Sequence, residues 1–117
     1  MKTILLVDDE DNIHVLYREE LEEEGYAVHS AFTGEEALDK LKTVPADLII
    51  LDINLPGMNG LATLRRIKEI NPTLPVILSS AYNEYKQDLA SWASDEYIVK
   101  SSNLDELKAA IRKHLAG

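Results

Sequence analysis

The 117-residue chain has no cysteine, so neither a disulfide framework nor a thiolate metal site is open to it. It is short of basic residues. Twelve Lys and Arg stand against 21 Asp and Glu, a formal charge of −9. That balance argues against direct contact with nucleic acid or an anionic membrane surface, where a basic footprint is needed. No apolar run approaches a membrane span. The opening Met1-Lys2-Thr3-Ile4-Leu5-Leu6-Val7 turns acidic too soon for a signal peptide. Linkers, low-complexity tracts and internal repeats are also missing. What remains fits one compact domain, residues 1–117, whose 45% hydrophobic residues suffice for one core. A cytoplasmic location is the simplest reading.

Five short apolar runs alternate with amphipathic stretches. The runs are Ile4–Val7, the more polar Tyr26–Ala31, Leu48–Leu51, Pro75–Leu78 and Glu96–Val99. Branched, unalternating runs of this length suit strands covered on both faces. Between them, Ile13, Leu16, Tyr17 and Leu21 share one helical face that Gly25 ends as a C′ residue. Thr33-Gly34-Glu35-Glu36 is a capping box for a helix carrying Ala37, Leu38 and Leu41. A third helix carries Leu61, Leu64, Ile67 and Lys68 after Asn59-Gly60 and stops at Asn71-Pro72. A less regular fourth is expected over 84–92, with Leu89 and Trp92. The last starts at Ser102 or Asn103 and carries Leu104, Leu107, Ile111 and Leu115. Repeated strand–helix units predict an α/β fold, a doubly wound five-stranded parallel sheet. Right-handed crossovers limit the topologies, and 2-1-3-4-5, one of the two common solutions, puts the polar second run at an edge.

Chemistry gathers at the carboxyl ends of these strands. The first ends in Asp8-Asp9, with Glu10 and Asp11 behind, the third in Asp52, the fourth in Ser79-Ser80 and the fifth in Lys100. In the predicted order they meet on one edge of the sheet. Clustered carboxylates repel unless a cation neutralises them. A hard, oxygen-only site with open positions suits Mg²⁺. Two acids can hold the metal while the third stays available as a nucleophile for an acyl phosphate. Lys100 offers that phosphate a point charge and Ser80 a hydroxyl donor. Taken singly, Ser80 reads as turn chemistry, Lys100 as a solvated strand end, and Asp11 or Asn12 as a helix cap. Asp52, after four apolar residues, is harder to dismiss, because a lone carboxylate at a buried strand end is costly. The joint occurrence at four strand ends favours the chemical reading. His14, His29 and His114 are scattered and read as ordinary, partly exposed residues.

Along its whole length the chain resembles the receiver domain of two-component response regulators. The matching pieces are Leu5-Leu6-Val7-Asp8-Asp9-Glu10, Asp47–Asp52 with Leu55-Pro56-Gly57-Met58-Asn59-Gly60, Pro75–Ala81, and Asp95–Lys100. The resemblance implies the flavodoxin-like (CheY-like) three-layer sandwich. It also implies Mg²⁺ held by Asp8, Asp9, Asp52 and the backbone carbonyl of Asn54, with Asp52 as phosphoacceptor. Ser80 and Lys100 would bind the phosphoryl oxygens, and Glu10 would face back along its loop. Ser80 and Tyr97 would form the switch, altering a surface of the fourth helix, fifth strand and last helix. The implied partners are a histidine kinase or phosphotransfer protein and a downstream output domain or protein, with a monomer or phosphorylation-dependent dimer. Such a domain catalyses only its own phosphorylation and dephosphorylation.

Three positions depart from the family pattern. Ser101 replaces the usual proline after the lysine, Ala93-Ser94 replaces Gly-Ala, and Trp92 is unusual. Without the proline, the Lys100–Ser101 peptide is expected to be trans, since a cis bond costs about 2.5–4 kcal/mol before other residues. Asn54 and Tyr82, by the same resemblance, set the phosphoryl lifetime. Rival readings fit less well. A haloacid-dehalogenase-like phosphatase needs a second acid where Asn54 stands. A flavin binder would not place Asp8-Asp9-Glu10-Asp11 against a phosphate. A receiver-like module that no longer takes phosphate would not need the complete set of acids, Ser80 and Lys100.

Overall fold

The computed structural model describes residues 1–81, 95–100 and 103–115. In chain order these form β1 (Thr3–Val7), α1 (Asp11–Glu23), β2 (Ala27–Ala31), α2 (Gly34–Lys40), β3 (Leu48–Asp52), α3 (Gly60–Ile70), β4 (Val76–Ser80), β5 (Glu96–Val99) and α4 (Asp105–Leu115). All four strand pairings are parallel, and the order is β2-β1-β3-β4-β5. The sheet is therefore the predicted one, with β2 and β5 at its edges. The expected helix over 84–92, together with Tyr82, Ala93, Ser94, Ser101 and Ser102, lies outside the described residues. The expected trans Lys100–Ser101 peptide falls there too.

The unalternating apolar runs are explained by the two faces of the sheet. Leu5, Val7, Ile49 and Leu51 enter one core with Ala37 of α2 and Leu64 and Ile67 of α3. Ile4, Leu6, Leu48 and Ile50 enter the other with Tyr17 and Leu21 of α1 and Leu107 and Ile111 of α4. Successive strand side chains point to opposite faces, and here both faces are roofed by helices. Each such Leu or Ile taken fully out of water contributes about 1.5–3 kcal/mol.

Local signals set several helix ends. Thr33 accepts from Glu36 N at 3.0 Å, and Glu36 returns a carboxylate to Phe32 N at 2.5 Å. Asn59 caps α3 by accepting from Ala62 N at 2.9 Å. Gly25, at φ 97°, closes α1 in a Schellman turn, with Gly25 N donating to Glu22 O and Tyr26 N to Leu21 O.

The start of α1 departs from expectation. Neither Asp11 nor Asn12 caps it: the chain enters through Glu10, whose side chain makes no cap bond, and Asp11 already lies in the first turn. There its charge suits the positive end of the helix dipole. The buried face of α1 consists of His14, Tyr17 and Leu21, while Leu16 points toward solvent. Spacings of three and four residues place His14 with Tyr17 and Leu21 on one stripe, and Leu16 falls on its margin.

Candidate functional site

The carboxyl ends of β1, β3, β4 and β5 meet, as the strand order requires. Asp52 is the last residue of β3, paired in register with Ser79, and the ladder runs one bond further through Ile53 N to Ser79 O at 3.1 Å. Asp52 is buried, and its Oδ1 accepts from Asn54 N at 3.2 Å. Gly60, opening α3, presses on this strand end. A Cβ there would lie 2.3 Å from Asp52 O and 2.5 Å from Ile53 Cα, so only glycine fits.

Lys100 follows β5 and is aimed by its own backbone, with Lys100 N donating to Ser80 O at 2.7 Å. Its Nζ lies 2.7 Å from Asp8 Oδ2 and 3.3 Å from Asp52 Oδ2. One ammonium thus ties together acids from two strands that are 44 positions apart. All three side chains are largely removed from water. Ser80, at the end of β4, is fully buried beside them in the sheet.

Asp9 and Glu10 complete the acidic rim. The carboxylates of Asp8, Asp9 and Glu10 bring oxygens within 4.8 Å of one another, with Asp9 and Glu10 exposed. Glu10 sets its carboxylate beside the Asp8–Asp9 pair. Its amide donates to Asp8 Oδ1 at 3.0 Å, and this tight turn folds its carboxylate back beside the pair.

Burial pushes the Asp52 carboxyl up from its ordinary value; Lys100 pulls it down, and Asp8 adds to the rise. For Lys100, burial works against the charge, yet its hydrogen bond to Asp8 and the Asp8 and Asp52 charges leave it raised. Tyr17 lies beneath the site. Burial raises its phenol, while Lys100 lowers it and Asp8 raises it further.

Four carboxylates against one ammonium leave excess negative charge in an all-oxygen cluster. That donor set is chemically suited to a hard divalent cation. Asn54 is exposed next to Asp52, and Tyr97 on β5 is partly buried against the α2–α3 core.

Sequence and structure comparisons agree with this geometry. The family described as the response regulator receiver domain matches residues 4–112. The chain belongs to this family. The receiver is 35% identical over 114 residues to the sporulation initiation phosphotransferase F of Bacillus subtilis, covering 96% of this chain and 92% of that protein. It is 39% identical over 114 residues to the response regulator ArlR of Staphylococcus aureus, covering 96% of this chain and 52% of that protein. The receiver thus spans about half the length of its ArlR relatives. Among solved structures, the response regulator TrrA of Thermotoga maritima in complex with Mg²⁺–BeF superposes with a TM-score of 0.93 at 51% identity. That match covers 98% of this chain and 100% of TrrA. TrrA in complex with histidine kinase ThkA gives 0.92 at 50% identity, covering 99% and 100%. Receivers of this family are phosphoryl-accepting regulators rather than conventional enzymes. No helix among the described residues is long and apolar enough to cross a membrane.

Sequence reasoning missed His14. It is 5% exposed, not an ordinary surface residue, and both ring nitrogens are engaged. The signal was its helical spacing from Tyr17 and Leu21. His29 is exposed, and His114 is partly buried beside Glu96.

Proposed function

We propose that residues 1–117 form a single receiver domain that accepts a phosphoryl group on Asp52 and passes the signal to an output domain or protein. The observation that carries this reading is the Lys100 ammonium shared between Asp8 and Asp52 at the carboxyl edge of the sheet. A buried carboxylate beside a fixed cation is placed for nucleophilic attack on phosphorus.

Asp8, Asp9, Asp52 and the Asn54 carbonyl would hold Mg²⁺. When bound, it supplies charge neutralisation for the transferring phosphoryl oxygens. The donor is a phosphohistidine of a histidine kinase or phosphotransfer protein, a reading supported by the likeness to TrrA, which was solved with ThkA. An Asp52 oxygen attacks phosphorus, the phosphorus–nitrogen bond breaks, and the imidazole leaves with its electron pair. The product is an aspartyl phosphate. Lys100 holds one of its oxygens from a position 3.3 Å from Asp52 Oδ2, and the Ser80 hydroxyl turns toward another. Tyr97 follows, changing the surface of β5 and α4 that the output partner reads. The same centre later hydrolyses the acyl phosphate. The domain works in the cytoplasm, as a monomer or a phosphorylation-dependent dimer, without contacting nucleic acid itself.

Intact-mass spectrometry after exposure to acetyl phosphate and Mg²⁺ tests this reading. Wild type gains the mass of one phosphoryl group and Asp52→Asn gains none. Equal incorporation in both, or none in wild type, contradicts it.

A further inference from the structure

Asp8 carries the site's innermost metal-side carboxylate, and its backbone lies one residue past the end of β1. Its N–H still reaches the edge strand, donating to Ala31 O at 3.1 Å. Among the described residues no backbone N–H reaches its carbonyl. His14 takes it, Nε2 donating to Asp8 O at 2.7 Å. Because a carbonyl only accepts, this contact fixes which nitrogen carries the proton. In the neutral ring, Nδ1 accepts from the Ser30 hydroxyl at 2.8 Å. Ser30 Oγ in turn accepts from Arg18 Nη2 at 2.8 Å. Phe32 packs on the ring, centroids 4.1 Å apart.

Both ends of the Asp8 residue are therefore hung from neighbouring positions of β2, the N–H from Ala31 directly and the carbonyl from Ser30 through the imidazole. This scaffold stands behind the turn in which Glu10 N reaches Asp8 Oδ1. We propose that His14 is a positioning residue, holding the Asp8-Asp9-Glu10 loop in the shape that binds a divalent cation. It acts through the Asp8 backbone and touches neither metal nor phosphate. The proposal deepens the receiver reading and rests on it for the identity of the bound ion. Partners that orient metal ligands from behind typically matter about 10–100-fold in metal affinity.

Three variants separate positioning from stability. His14→Phe keeps a packed ring and removes both polar contacts. His14→Gln retains one donor and one acceptor at a similar separation. Ile67→Val thins the core on the opposite face of the sheet and serves as a stability control. Mg²⁺ affinity is measured by isothermal titration calorimetry on the full chain. Amide exchange of Asp9 and Glu10 is followed by NMR in metal-free protein. His14→Phe is expected to weaken Mg²⁺ binding about tenfold and to speed Glu10 exchange about tenfold. His14→Gln should restore most of both, and Ile67→Val should change neither. Wild-type affinity and wild-type Glu10 protection in a folded His14→Phe would overturn the proposal. If wild type itself binds no Mg²⁺, the receiver reading fails, while Glu10 exchange still decides whether His14 positions the loop. Should His14→Phe not fold, Ser30→Ala keeps the ring but releases it. A few-fold weaker binding is then expected, and unchanged binding with unchanged exchange refutes the idea.

Discussion

Replacing Lys100 with methionine removes the charge and keeps the stem. In wild type the Lys100 side chain is 14% exposed, and its partners Asp8 and Asp52 are 3% and 5% exposed. Losing the cation leaves two buried carboxylates facing each other. Removing one member of a buried charge pair costs about 3–5 kcal/mol. The lower end applies here, because the raised Asp52 carboxyl can take up a proton and relieve part of the repulsion. We expect Lys100→Met to lose about 3 kcal/mol in EDTA at neutral pH, a large share of the roughly 5–15 kcal/mol available to a domain. In an Asp52→Asn background only Asp8 is left unpaired, so the same replacement should cost about 1 kcal/mol less, a coupling energy within the range for neighbours. Mg²⁺ affinity should move the other way, staying equal or rising, because a competing cation has gone. A saturating ion at about 100 times its dissociation constant adds about 2.7 kcal/mol to each protein that binds it, so the deficit narrows only by as much as the variant's Mg²⁺ affinity exceeds that of wild type. Urea unfolding followed by far-UV circular dichroism, in EDTA and in Mg²⁺, reads all four proteins. A cost below about 1 kcal/mol with no dependence on residue 52 would refute the buried-triad reasoning.

The remaining predictions follow from the same geometry. Burial raises Asp52, so the folded state binds this proton more readily than the unfolded chain does. Its contribution to stability is present below the ordinary carboxylate pKa and is lost as pH rises through the raised value. In EDTA at neutral pH, Asp52→Asn should therefore melt higher than wild type by differential scanning calorimetry, with the gap closing on acidification; a gap that widens instead contradicts the sign. Asp9→Ala should weaken Mg²⁺ binding more than Glu10→Ala by calorimetry, though the position of Glu10 beside the pair makes its loss measurable too. Gly60→Ala should cost about 1–3 kcal/mol in urea unfolding and slow phosphorylation, since its Cβ displaces the strand end that carries Asp52.

How much of this was legible depended on whether a feature is local. The runs at Ile4–Val7 and Leu48–Leu51 announced covered strands because both faces of each must be apolar. Thr33 with Glu36, Asn59 and Gly25 announced their helix ends because capping needs residues only a few positions apart. Connection rules narrowed the strand order to two common solutions, and the order 2-1-3-4-5 brings Asp8, Asp52, Ser80 and Lys100 to one edge. What stayed hidden depends on contacts across the fold. His14 looked like a stray polar residue because its partners, the Asp8 carbonyl and Ser30, belong to a loop and a different strand. Lys100 was expected at Asp52, yet its shorter contact is to Asp8, which side-chain reach decides and residue order does not. The hydrogen bond from the Glu10 amide to Asp8 Oδ1, which sets the turn, is likewise a contact that residue order does not show.

Chemical mapping of the phosphorylated residue tests the account most directly. Borohydride reduces an aspartyl phosphate to homoserine, which tandem mass spectrometry locates in the sequence. After phosphorylation with acetyl phosphate or a histidine kinase, the account predicts homoserine at position 52 and at no other acid. Homoserine at Asp8 or Asp9, or phosphorylated protein with none at all, would contradict it.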